Sequence, residues 1–339
     1  MFKNEKYNNF FTNWLLFLIT LVAFIIIIGG LTRLTDSGLS ITKWEVFKGI
    51  LPPLNQVEWN RYFSEYKSIP QYILLNYDMT MKEFKFIFFW EYFHRILGRL
   101  IGLFFFIPFI FLIYKRILNN YLILRLTGIS LLILLQGLIG WYMVKSGLVN
   151  DVSVSHYRLS LHLFTAFIIF SSLIWIYLNH KTKVKINFFQ INFQFVSLKI
   201  LVFFIFFQIV IGAFVSGLDA GKIYQTWPLM NGYYFPSDNF VVNLFNFKDP
   251  SFVQFVHRNI AYIIFFLSVY SGVYIYINKI KNLYYYYLIF IFIIAIQILL
   301  GILVLFSNVN IYFASLHQIS SIFLIISSLN LYFHSIKTN

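Results

Sequence analysis

Residues 284–306 read YYYYLIFIFIIAIQILLGILVLF, 23 residues without one charged side chain. A helix rises 1.5 Å per residue, so about 20 apolar residues cross the hydrocarbon core of a bilayer. This run is long enough to do so. Working outward from it, seven more runs of similar character lie at about 13–30, 88–114, 121–143, 157–178, 196–216, 252–277 and 312–334. The composition agrees, with 60% hydrophobic and 11% charged residues, far from the balance of a water-soluble domain. Strands of a membrane barrel would alternate over about ten residues, and no such alternation is present. The expected fold is an all-α integral membrane protein with eight transmembrane helices.

Charge gives the orientation. The N-terminus, the connections near 115–125, 179–195 and 278–283, and the C-terminal tail carry 11 Lys or Arg against one acid, Glu5. The opposite connections, near 31–87, 144–156, 217–251 and 307–311, hold ten basic and ten acidic residues. Basic residues stay on the cytoplasmic side, so both termini are expected there. The net charge of +14 is then largely a topology signal. A nucleic-acid partner would call for a basic face on a soluble domain, and none is present. The polar lead-in, Met1 to Asn13, is short for a transit peptide and points to a bacterial inner membrane. With no cysteine, the outer loops hold no disulfide, and thiolate-ligated haem and iron–sulfur clusters are excluded.

The chain also repeats itself. IIIIGGLTRLTDSGL (25–39) matches QIVIGAFVSGLDAG (208–221), and FHRILGRLIG (93–102) matches VHRNIAYIIF (256–265). LLQGLIGWYMV (134–144) matches AIQILLGILVL (295–305), and SHYRLSLHLFTAF (155–167) matches IYFASLHQISSIF (311–323). Four weak matches in the same order predict two pseudo-symmetric four-helix bundles, residues 1–180 and 181–339, related by an axis along the membrane normal. The glycines at 137–140, 212 and 301 are read as sites of close helix packing.

Four of the seven histidines occupy equivalent places in this repeat: His94, His162, His257 and His317. Each is placed five to eight residues inside an even-numbered span, about 8–12 Å deep at 1.5 Å per residue. Ionisable groups at that depth are costly and usually functional. Facing helices of a bundle can share one metal centre, giving the pairs His94/His162 and His257/His317. Two imidazoles without a carboxylate or thiol at their level in the C-terminal half suit axial ligation of haem iron better than zinc. The other histidines, His156 in an outer loop and His180 and His334 at cytoplasmic helix ends, are read as solvated.

Four arginines lie beside these ligands: Arg95, Arg99, Arg158 and Arg258. They are candidates to hold haem propionates, with snorkelling to the interface as the alternative. The halves differ at one telling position. Glu91 stands three residues before His94, where the C-terminal half has Gln254 before His257. Glu91 can serve as acid, base or cation stabiliser, and the long outer loop 31–87 can cover a substrate. Reaction is therefore assigned to the N-terminal half and electron transfer to the C-terminal half. A two-haem electron carrier or quinol-linked cytochrome b, and a proton-coupled transporter, remain open at this point.

The stretches GGLTRLTDSGLSITKW (29–44), GILPP (49–53), EFKFIFFWEYFHRILGR (83–99), SHYRLSLHL (155–163) and GLDAGKIYQTWPLMNG (217–232) resemble the haem A synthase family in its alpha-proteobacterial and mitochondrial form. The resemblance runs over nearly the whole chain. It implies oxidation of the C8 methyl group of haem O to a formyl group, giving haem A for cytochrome oxidase. It implies that His94 and His162 flank the substrate haem, that Glu91 is catalytic, and that His257 and His317 ligate a haem b cofactor. Relatives of another type carry cysteine pairs that this chain lacks. The expected setting is the bacterial inner membrane with the haem sites toward the periplasm. Haem O synthase, cytochrome oxidase assembly factors and a homo-oligomer are the partners to look for.

Overall fold

The structure, a computed structural model, describes residues 5–44, 48–149, 151–190, 192–236 and 245–337. Lys3, Glu45 and Asp238, which enter the charge count, lie outside the described residues. Ten α-helices follow in chain order: α1 (Glu5–Leu34), α2 (Gln56–Tyr66), α3 (Pro70–Leu75), α4 (Met81–Tyr114), α5 (Asn120–Gly147), α6 (His156–Thr182), α7 (Val196–Gly217), α8 (Pro250–Ile277), α9 (Lys281–Phe306) and α10 (Ile311–Lys337). Eight are long and apolar enough to cross a membrane, and they coincide with the eight apolar runs. Their outward faces carry Phe86, Ile107, Leu124, Phe203, Phe266 and Phe292, all exposed. That much apolar surface suits lipid and not water.

Local chemistry sets the helix ends. Asn119 caps α5 by accepting from Leu122 N at 2.9 Å, and Asp249 caps α8, whose first residue is Pro250. Several helices close on a residue in the left-handed conformation, with the following N–H reaching back to a carbonyl of the last turn. After α4, α6 and α8 these residues are Arg116, Lys183 and Lys279, with φ of 53°, 59° and 52°. After α1, α7 and α9 they are Asp36, Asp219 and Asn308. Cations favour a helix C-terminus, while Asp and Asn tolerate the left-handed region best among non-glycine residues.

The helix α4 begins earlier than its apolar run. Thr80 and Glu83 form a capping box, with Thr80 N donating to Glu83 Oε2 at 2.7 Å, so the helix starts at Met81 and not near 88. His94 therefore lies 13 residues into α4 and not the expected five to eight. The extra turns, from Met81 to Phe88, form a wall for the outer loop. Tyr62, Phe63 and Tyr66 of α2 bury against Phe84, Ile87 and Phe88, with Phe63 stacked on Phe84 at 4.9 Å. Burial pushes the Tyr66 phenol above its ordinary value. It stays a donor to Gln71 Oε1, while Gln71 Nε2 donates to Asp36 O. Phe84→Ala should cost this packing about 3–5 kcal/mol. Residues 48–80 should then be cut faster by protease added from the loop's side, and unchanged resistance would contradict the role given to Phe84.

Two compact units divide the chain. One comprises residues 20–169, and the other residues 1–19 with 170–339. Within the second, α7 packs on α8, α8 on α9, α9 on α10 and α10 on α7, so these helices close a ring. In the same unit Trp175 and Asn179 bind both backbone groups of Ile186, and Tyr332 donates to Phe188 O and Gln190 O. His180 and His334, read as solvated, are instead partly buried. Their rings pack against Phe11 at 4.9 Å and Tyr286 at 3.9 Å, because an imidazole offers an apolar face that suits a helix end rich in aromatics. His156, read as a loop residue, is the first residue of α6.

Candidate haem-ligand histidines and the clasps beside them

In the unit of residues 20–169, α4 presents His94 and α6 presents His162 to each other, with ring centroids 6.3 Å apart. Two imidazoles bound end-on to one metal, at about 2 Å per bond, have ring centres about 6 Å apart. In the other unit, His257 on α8 and His317 on α10 lie close enough to interact electrostatically. Among the described residues no three of His, Cys, Asp and Glu converge as a metal cluster. Two-imidazole axial ligation needs no such cluster.

Each of these four rings sits where a neighbouring helix has a glycine. A Cβ added at Gly29 would come 3.0 Å from His94 Cε1, and one at Gly140 3.0 Å from His162 Cε1. At Gly212 the distance to His257 Cε1 is 3.2 Å, and at Gly301 to His317 Cε1 it is 3.1 Å. Only a residue without Cβ lets the ring edge reach the backbone. His317 uses the approach to place Nδ1 3.1 Å from Gln297 O. That bond favours the Nδ1–H tautomer and leaves the Nε2 lone pair for a metal. The Nδ1 atoms of His94, His162 and His257 are buried without a hydrogen-bond partner. Paired rings and glycine seats fit two-imidazole ligation of haem.

One turn before His94 on α4 and His257 on α8, each unit holds a loop with a matched pair of side chains. Glu91 is 3% exposed. Its Oε2 accepts from Ser40 Oγ at 2.7 Å and Ile41 N at 2.9 Å, and its Oε1 accepts from Arg95 Nε at 3.1 Å and Nη2 at 2.6 Å. Arg95 Nη2 also donates to Ile41 O. In the other unit Gln254 Oε1 accepts from Tyr224 N, Gln254 Nε2 donates to Tyr224 O, and Arg258 Nη2 donates to the same carbonyl at 2.8 Å. Ile41 and Tyr224 are equivalent when Asp36 is aligned with Asp219. The same clasp is thus built twice, with a carboxylate in one copy and an amide in the other.

The clasps engage two of the four arginines read as propionate candidates. Arg95 is engaged by Glu91 and Ile41 and lies over the Trp44 ring, and Arg258 donates to Tyr224 O, Thr226 O and Leu229 O. Buried loop carbonyls otherwise left without donors account for this. Arg158 packs over Tyr142 with its guanidinium carbon 4.0 Å from the ring centre. Arg99 lines a cleft with Lys43, Tyr62, Tyr92 and Arg95.

Residues 12–329 match the cytochrome oxidase assembly protein family, COX15-CtaA. The chain belongs to this family. It is 46% identical over 331 residues to the heme A synthase of Pelagibacter ubique (strain HTCC1062), with 95% of each chain covered. To the heme A synthase of Rickettsia bellii (strain RML369-C) it is 42% identical over 314 residues, covering 91% of this chain and 93% of the relative. To that of Rickettsia felis it is 40% identical over 313 residues, with the same coverage. In this member of the cytochrome oxidase assembly family, Ser40, Ile41, Tyr224 and the glutamines at 136, 208 and 297 join the site without standing out in the sequence. The available signal was the spacing Gln-x3-Gly, which recurs at Gln136/Gly140, Gln208/Gly212 and Gln297/Gly301.

Proposed function

We propose that this protein is a haem A synthase, a multi-pass membrane oxidoreductase that converts the C8 methyl group of haem O to a formyl group, giving haem A for cytochrome oxidase. The single observation that carries the assignment of roles is the unequal clasp. Both units pair two glycine-seated histidines, and only the unit with His94 sets a buried carboxylate beside them. His94 and His162, in the N-terminal half 1–180, hold the substrate haem O. His257 and His317, in the C-terminal half 181–339, hold a haem b cofactor, which when bound supplies a reversible one-electron acceptor.

Balanced with water, methyl to formyl removes four electrons and four protons and adds one oxygen; the electrons pass on, one at a time, to an external acceptor. Two hydroxylations at one carbon give a geminal diol, which loses water to the aldehyde. The chain supplies position and charge for this. A carboxylate has about four acceptor sites, and all four of Glu91's are taken by Ser40, Ile41 and Arg95. That argues against proton abstraction and for a fixed negative charge that stabilises positive charge developing at the methyl carbon. Arg99 and Arg158 take the propionates, while Arg95 and Arg258 hold the loops. Apolar helix faces and the outer loop over α4 exclude water from the site. The charge bias places both termini in the cytoplasm of a bacterial inner-membrane protein and the haem sites toward the periplasm.

Co-expression with a haem O source, followed by mass analysis of extracted haems, tests the assignment. Haem A or hydroxylated haem O is expected. Haem b alone would favour a two-haem electron carrier.

A further inference from the structure

Among the described residues, three of the four histidines share a contact that the fourth lacks. Gln136 Nε2 donates to the backbone carbonyl of His162 at 3.0 Å, Gln208 Nε2 to that of His257 at 3.0 Å, and Gln297 Nε2 to that of His317 at 3.2 Å. The same amide nitrogens lie 3.4, 3.2 and 3.4 Å from the ring Nε2 of their histidines; a bound iron would claim that lone pair, so the carbonyl bond is the one that holds. Each glutamine stands one turn before the glycine that seats the ring. Ser320 Oγ binds Gln297 Oε1 in turn and fixes the amide further. The matching place before Gly29 is Ile25, which has no polar group. Its Cδ1 lies 3.7 Å from the point a Cβ on Gly98 would occupy. That contact with α4 is dispersive and has no preferred direction.

Resting on the two-haem reading above, we propose that Gln136, Gln208 and Gln297 are positioning residues that lock their histidines at the iron, and that Ile25 leaves His94 as the ligand that lets go when haem is exchanged. Inside a bilayer an amide that leaves its carbonyl finds no water to replace it. Helix movement that draws His162, His257 or His317 off a metal must therefore break a directional interhelical bond. Movement that draws His94 away breaks no such bond at the histidine itself; the bond that joins α1 to α4, Thr32 Oγ1 to Trp90 O at 3.4 Å, lies one turn off. The iron–nitrogen electron pair stays with the imidazole, so release needs no redox partner. A site that takes in substrate and discharges product needs one ligand of this kind. A permanent cofactor site, with both histidines locked, needs none.

The test uses the full chain with both haems bound. Haem transfer to excess apomyoglobin should show a faster and a slower phase. I25Q should slow the faster phase about threefold to tenfold, the range expected for one interhelical hydrogen bond, and leave the slower phase alone. Q208L should accelerate only the slower phase. Equal rates for the two haems in the unmodified chain, or an I25Q variant that keeps both haems at unchanged rates, would overturn the proposal. Carbon monoxide binding to the reduced, unmodified chain gives a second reading should I25Q fail to assemble. One haem of the two should bind it, with the same spectrum in H94G, since His162 is the opposite ligand in both. Binding at neither haem or at both would count against a releasable His94. A chain that retains no haem with all four histidines intact would overturn the two-haem reading itself.

Discussion

Glu91→Gln is expected to lower formyl production by about 100- to 1000-fold, the scale seen when one preorganised electrostatic group is removed from an active site, while both haems stay bound. The substitution keeps the shape of the clasp. A glutamine oxygen can still accept from Ile41 N, as Gln254 accepts from Tyr224 N. Arg95 loses its anion but retains Ile41 O, the arrangement Arg258 has beside Gln254. What disappears is the fixed negative charge. Glu91→Ala removes the clasp as well, so it should lose activity and also loosen residues 40–41. The check is the haem A fraction among extracted haems, measured with total haem per chain. Normal haem A yield in Glu91→Gln would remove the charge from the mechanism and leave Glu91 as a loop clasp alone.

Gly212→Val should empty the site of His257 and His317 while sparing the other pair. The Cβ alone would fall 3.2 Å from His257 Cε1, and the two added methyl groups cannot turn away from a ring already against the helix. Overpacking of this kind costs about 1–3 kcal/mol, which weakens haem retention by about 5- to 150-fold. Purified protein should then carry about half the haem of the unmodified chain, and what remains should come from the His94/His162 site. Full retention of both haems would show that the glycine seat is dispensable.

The eight spans were legible because length and apolarity alone decide a membrane helix, and residues 284–306 state both without ambiguity. The four histidines were legible for a related reason, since an ionisable ring inside an apolar run is conspicuous. The outward extension of α4 was not. Residues 81–87 read MKEFKFI, polar enough to end an apolar window, and the helix begins there because Thr80 and Glu83 cap each other. The glycines at 140, 212 and 301 were read as helix contacts, which misses that each faces a histidine ring. The clasps were beyond reach, since Glu91 finds Ile41 across 50 residues of sequence. The bonds from Arg95 and Arg258 to the loop were hidden for the same reason. The loop carbonyls that claim them are backbone groups, and backbone groups leave no trace in a sequence.

The central claim is that the two histidine pairs hold different haems, one a substrate and one a cofactor. The most direct measurement is the identity of the haem kept by two double variants, expressed with a haem O source and analysed by mass. His94→Ala/His162→Ala should retain haem b and yield no haem A. His257→Ala/His317→Ala should retain haem O, unconverted. If both variants keep the same haem, or if the second still makes haem A at the unmodified level, the division of labour between the pairs is wrong.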